Sequence, residues 1–242
     1  MFNIIKKEIK FGEKILSIET GKIARQATSV VVRYGDTVIL CALVAANEPS
    51  SMGFFPLVVN YIEKKSAVGR IPGGFYKREG KLSEKEVLTS RVIDRAIRPL
   101  FPDGFCNEVQ VTATLLSCDK THDTDFLALI GSSAALAISG LPVKSVVAGC
   151  RVGLVGDKFV LNPSHQEMES SMLDLTYAGT RDAIYMVESE AKELSEEVML
   201  DALEFAKQAI IPVIEMIESF AGGVNAKEIG FVSTAHPFQT QA

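Results

Sequence analysis

Phe75, Tyr76, Lys77 and Arg78 stand in a row behind a Pro-Gly-Gly turn, in the stretch GRIPGGFYKREGK at residues 69–81, with Arg70 and Lys81 on its flanks. Flat rings beside fixed positive charges suit single-stranded nucleic acid. Stacking on an aromatic ring contributes about 1–3 kcal/mol per base whatever the base, and the cations meet phosphates. Glycines let such a loop come close to a backbone. Two aromatics folding back onto a core would fit the same four residues, so the pattern alone leaves both readings open.

The next segment carries a second basic feature. On a helical wheel over residues 84–98, Arg91, Arg95 and Arg98 fall within about 60° of one another, with Val92, Ile93, Ala96, Ile97 and Leu100 on the other side. Cations near a helix C-terminus are favourable by ~0.3–1 kcal/mol each. That accounts for one or two of the arginines; three aligned guanidinium groups call for an anion nearby.

Residues 64–98 hold ten Lys or Arg against four Asp or Glu, a local +6 on a chain whose total is −5, leaving −11 elsewhere. A basic patch on an acidic body points to a polyanion bound at one place, and away from general adhesion to nucleic acid or membrane. Neither a Walker pattern nor a strand-borne G-x-G-x-x-G is present. The cysteines (Cys41, Cys106, Cys118 and Cys150) sit apart in apolar, strand-like runs, as core side chains of a reducing compartment do. His122, His165 and His236 make no metal pattern, and no apolar run is long enough to span a bilayer. The expectation is a cytoplasmic protein.

The elements that must hold the basic segment follow from period and punctuation. The first 68 residues read as strands, at 5–11, 14–19, the two halves of SVVVRYGDTVILCALV around a Tyr-Gly-Asp turn, and 57–62. Ser83 and Glu86 make a capping box, Leu82 and Val87 are placed for a hydrophobic staple, and Pro99 closes a helix at 84–98. A strand at 108–116 precedes a helix at 124–139 that is apolar on nearly all sides and therefore buried. Its Ser132 and Ser133 read as packing residues. Strands near 145–155, 157–161, 172–178 and 183–188 come next. Ser195 then caps a long acidic helix to 221, with a kink expected at Pro212. Strand clusters with inserted helices make this an α+β protein.

Three stretches carry a resemblance: ETGKIARQATSVVVRYGDTVILC (19–41), IPGGFYKREGKLSEKEVLTSRVIDRAIRPLFPDGF (71–105) and YMVESEAKELSEEVM (185–199). Together they resemble the first core domain of bacterial polynucleotide phosphorylases, over residues 1 to about 222. The resemblance implies a ribonuclease-PH-like domain (a ribosomal protein S5 domain 2-like βαβα fold) over 1–222, with 223–242 as the truncated start of a helical inter-domain linker. It implies a phosphate-dependent 3′-to-5′ exoribonuclease that releases nucleoside diphosphates, with a Mg²⁺ site in a second core domain. It further implies a homotrimeric ring, single-stranded RNA as partner, and RNA-degradation complexes as possible partners. Phe75, Tyr76, Lys77 and Arg78 match the loop that lines the ring's channel entrance, with Tyr76 where phenylalanine is usual, and Arg91, Arg95 and Arg98 would extend the RNA-binding surface.

The resemblance also implies what is missing. Asp123-Thr124-Asp125 falls where the second core domain has phosphate-holding serines, and Met168-x5-Asp174-x-Thr176 where it has Asp-x5-Asp-x-Lys. Carboxylates repel a phosphate that a bare helix N-terminus attracts. One Asp is a poor Mg²⁺ site. The domain is therefore expected to feed RNA and to hold no catalytic or metal residue of its own. A non-catalytic structural ring subunit and a standalone ribonuclease-PH-type enzyme acting on tRNA ends are the alternatives.

Overall fold

The computed structural model describes residues 3–51, 53–73 and 80–224. Two hairpins open it. β1 (Ile5–Phe11) pairs with β2 (Lys14–Thr20), and β3 (Thr28–Tyr34) with β4 (Thr37–Pro49), all antiparallel. The second hairpin turns at Gly35, whose φ of 59° suits a residue without Cβ. β5 (Leu57–Glu63), α1 (Glu84–Ile97) and β6 (Asn107–Ser117) complete a six-stranded sheet in the order β1-β2-β3-β4-β6-β5, with β5 parallel to β6. α2 (Asp125–Ala137) leads to a second, antiparallel sheet of β7 (Ala148–Val155), β8 (Lys158–Leu161), β9 (Leu173–Gly179) and β10 (Ile184–Ala191), ordered β10-β9-β7-β8. α3 (His165–Ser170) interrupts that sheet in sequence, and α4 (Glu196–Ala221) follows it.

Helix α2 explains why its sequence is apolar all round. It packs on β3 and β4 with one side and on β7 with the other, and Phe126 through Leu136 are all buried. Ser132 and Ser133 are buried with them. Ser132 donates to the Ala128 carbonyl at 2.8 Å and Ser133 accepts from the Val147 amide at 3.2 Å, so both hydroxyls serve packing. A Cβ on Gly131 would lie 2.5 Å from Cys41 Sγ and 2.8 Å from Val32 Cγ1. Overpacking of this kind costs typically 1–3 kcal/mol, against a gain of at most ~1 kcal/mol in helix propensity. Gly131→Ala should therefore lower the melting temperature; an unchanged or raised value would refute this account of the packing.

Sequence and structure agree on the capping box: Ser83 accepts from the Glu86 amide while Glu86 accepts from the Ser83 amide. They differ in three places. β4 runs on to Pro49 because its pairing with β6, interrupted by a register shift after Ala45, resumes at Pro49 opposite Asn107. α3 is an addition to the expected elements, although Ser164 and Glu167 form a second capping box at its start. Leu82 and Val87, expected to staple the start of α1, are 42% and 45% exposed and line a groove. Pro212 sits inside a helix that continues to Ala221. Among the described residues no helix is long and apolar enough to cross a membrane.

Helix α1 covers the open side of β5. The Tyr61 amide donates to Ser90 Oγ at 2.9 Å and the Glu63 amide to Glu86 Oε1 at 2.8 Å. At the other end Arg98 donates to the carbonyls of Phe55 and Leu57, each at 3.3 Å.

Candidate functional site

Phe75, Tyr76, Lys77 and Arg78 lie outside the described residues. Two stems flank their segment. On the outgoing side a 3-10 turn, Lys65–Val68, buries Ala67, whose carbonyl accepts from the Cys118 amide at 3.1 Å, and Gly69 ends the turn at a φ of 70°. On the return side Ser83 starts α1.

The arginine stripe forms as the wheel predicts, with Val92, Ile93, Ala96, Ile97 and Leu100 buried and Arg91, Arg95 and Arg98 exposed. The three then part company. Arg98 grips Asp94 with two hydrogen bonds, at 2.6 and 3.0 Å, and lies 5.6 Å from the centre of the Phe55 ring. Arg95 reaches across to Glu188 on β10 at 2.6 Å. Among the described residues Arg91 makes no ion pair, and it lines a groove of about 510 Å³ with Leu57, Val59, Leu82 and Val87. Exposed ion pairs are worth ~0–1 kcal/mol, so Arg95 can exchange Glu188 for another anion at small cost. Arg98, bonded to two carboxylate oxygens and two carbonyls and set beside a ring, is held more firmly.

A second constellation surrounds Arg151 in β7. Its Nε and Nη2 grip both oxygens of Asp174 on β9, at 2.7 and 2.5 Å, and its Nη1 donates to Asp123 Oδ2. Asp125 Oδ2 lies 3.9 Å from the same Nη1, and His165 Nδ1 is 3.9 Å from Asp123. Lys85 Nζ bridges Asp123 Oδ1 at 3.4 Å and Glu63 Oε1 at 3.3 Å. Burial lifts the Asp125 carboxyl above its usual range, against the pull of Arg151. Burial alone would push the Arg151 guanidinium down, yet the hydrogen bonds of Asp174 and the charges of Asp125 and Asp123 raise it above its ordinary value.

The chain thus brings together Asp123, Asp125 and Asp174, and adds Arg151, which the sequence analysis does not single out. The signal is present: Arg151 is the one charged residue in AGCRVGLV, a strand otherwise buried or nearly so, and a charge there must find a partner. Four carboxylates face two cations in this cluster, so its surplus is negative and it repels a free phosphate. Met168, on α3, lines a cavity of about 390 Å³ with His165, Asp174 and Glu190. Thr176 pairs with Arg151 across β9 and β7. With both Asp174 oxygens committed to Arg151, and Met168 and Thr176 offering no carboxylate or ammonium, these residues do not fit a catalytic Mg²⁺.

A mixed six-stranded sheet and an antiparallel four-stranded sheet around one buried helix are the architecture of an RNase PH-like region, and the chain belongs to the 3′ exoribonuclease family. Residues 13–142 match the family's domain 1 and residues 145–209 its domain 2. Among curated proteins it is 50% identical over 243 residues to the polyribonucleotide nucleotidyltransferase of Acinetobacter baumannii, covering 100% of this chain and 35% of that protein. It is 57% identical over 223 residues to the one of Gluconacetobacter diazotrophicus, covering 91% of this chain and 31% of the relative. The chain therefore spans about a third of the length of these relatives. Among solved structures, rice (Oryza sativa) Rrp46 superposes with a TM-score of 0.63 at 13% identity, over 92% of this chain and 94% of that one, a likeness of fold.

Proposed function

We propose that this chain is the first core domain, residues 1–222 with a linker beginning at 223, of a phosphate-dependent 3′-to-5′ exoribonuclease. In this reading it guides single-stranded RNA toward a catalytic site carried by another domain of the same polypeptide. The observation that carries the second half of the reading is the Arg151 cluster: the carboxylates of Asp123 and Asp174 are spent on a guanidinium of the chain itself. A group so neutralised neither holds an attacking phosphate nor ligates a metal. Mg²⁺, where the whole enzyme uses it, would supply charge neutralisation at the reacting phosphate, from the other domain.

Phe75 and Tyr76 stack on bases in this reading, and Lys77 and Arg78 meet phosphates. Arg91 extends that surface, with Arg95 and Arg98 behind it. A homotrimeric assembly, RNA-degradation partners and a cytoplasmic setting complete the proposal. The cluster around Arg151 has a negative surplus while residues 64–98 carry a local +6, of which Lys85 alone is spent on Asp123, so RNA is drawn to the loop and kept from the cluster.

The test is phosphorolysis. The purified chain, shown to be folded by a cooperative melt, is given single-stranded RNA, inorganic phosphate and Mg²⁺. Nucleoside diphosphate release should stay at background. Release that disappears on changing Asp174 or Asp123 would overturn the reading.

A further inference from the structure

The chain leaves β5 at Glu63 and starts α1 at the Ser83 cap, and between these points lie Phe75, Tyr76 and six of the ten basic residues of 64–98. One side chain joins the two ends. Glu86 Oε1 accepts the Glu63 amide at 2.8 Å, and Glu86 Oε2 accepts the Ser83 amide at 2.6 Å. Glu86 is only 8% exposed, unusual for a glutamate in the first turn of a helix. A capping box requires only one of those bonds; the other reaches back to the outgoing stem. Beside it, Lys85 links Glu63 to Asp123, and Asp123 is held by Arg151 of the second sheet.

Resting on the reading that residues 75–78 bind RNA, we propose that Glu86, with Lys85, is a positioning bracket for that segment. It fixes the separation of the stems and ties them through Asp123 to Arg151. Fixing the ends of a long connection removes part of the conformational freedom that RNA binding would otherwise have to quench. The bracket thereby raises affinity for RNA without touching it.

Charge sign separates this role from simple electrostatics. Glu86→Gln removes a negative charge beside a basic segment, which by field alone would strengthen RNA binding. In the bracket role it weakens binding, because the amide nitrogen cannot accept one of the two backbone N–H groups. In the full-length enzyme, Glu86→Gln should weaken single-stranded RNA binding by about three- to tenfold, the scale of one ordinary hydrogen bond lost from the bracket. The KM for phosphate should be unchanged. Trypsin should cut faster within residues 64–82, at sites such as Arg70 and Lys81. Lys85→Met should accelerate the same cleavage without altering the cap, and it decides the matter should Glu86→Gln lose its cooperative melt. Phe75→Ala with Tyr76→Ala serves as the reference. If that pair weakens RNA binding while Glu86→Gln leaves binding and cleavage unchanged, the bracket is refuted and the RNA reading stands. If the reference pair leaves RNA binding unchanged, the RNA reading falls and the bracket falls with it.

Discussion

Replacing Arg151 with methionine should destabilise the fold by about 3 kcal/mol, the lower end of the range for breaking a buried ion pair. The lower end applies because the arginine side chain is still 19% exposed. For a domain of this size that is a fall of roughly 6–12 °C in melting temperature. The loss comes from the carboxylates left behind: Asp174 forfeits two hydrogen bonds, and Asp123 and Asp125 a neighbouring positive charge. Two further measurements isolate that cause. Arg151→Met combined with Asp123→Asn and Asp174→Asn should recover much of the loss, because the orphaned charges are gone. The deficit of the single variant should also shrink on acidification. Asp125, already held above the usual carboxylate range by burial, loses the pull of Arg151 and takes up a proton in the folded state more readily than in the unfolded chain. A group whose folded pKa is raised stabilises as pH falls through that value. A melting temperature within about 2 °C of the parent at pH 7, well short of the shift that 3 kcal/mol implies, would show that the cluster is not a structural centre.

The second large effect is on RNA. Phe75→Ala with Tyr76→Ala in the full-length enzyme should cost at least tenfold in affinity for single-stranded RNA, since each stacked base contributes about 1–3 kcal/mol. Lys77→Ala with Arg78→Ala should act differently. Binding should weaken alike for all sequences, and the dependence of log K on log salt should flatten by about 0.7 for each phosphate that is no longer neutralised. Filter binding or fluorescence anisotropy across a salt series distinguishes the two. An aromatic pair that can be removed without loss would place those rings outside the RNA path.

Much of the scaffold is legible because its signals are local. The Ser83 box, the Gly35 turn and the all-round apolar character of α2 each depend on residues within one element. The cap of α3 is equally local: Ser164 and Glu167 have the same spacing as Ser83 and Glu86, and only the shortness of the helix hides them. The Arg151 cluster is hidden for a different reason. Its partners lie 23 and 28 residues away in sequence, and a fourth participant, Lys85, comes from another sheet's crossover helix. Nothing in the spacing of Asp123 and Asp174 says that β7 will run between them. The end of β4 is likewise a tertiary matter, since AANEP has little strand character and is held extended by β6. Helical period alone puts Arg91, Arg95 and Arg98 on one face, but their different partners depend on where Glu188 and Phe55 arrive.

The cover that α1 lays over β5 has a consequence for behaviour at high concentration. A sheet that ends in a bare strand offers its unpaired amides and carbonyls to any passing extended chain, and that is how fibrillar aggregates and swapped dimers begin. Here Ser90 and Glu86 occupy the amides of Tyr61 and Glu63, and Arg98 occupies the carbonyls of Phe55 and Leu57. The far side of the same sheet is β1, where Lys6 is paired with Glu8 but Lys7 and Lys10 leave the strand net positive, so two copies approaching edge to edge bring like charges together. A growing cross-β stack would therefore find one rim plugged by side chains and the other electrostatically hostile.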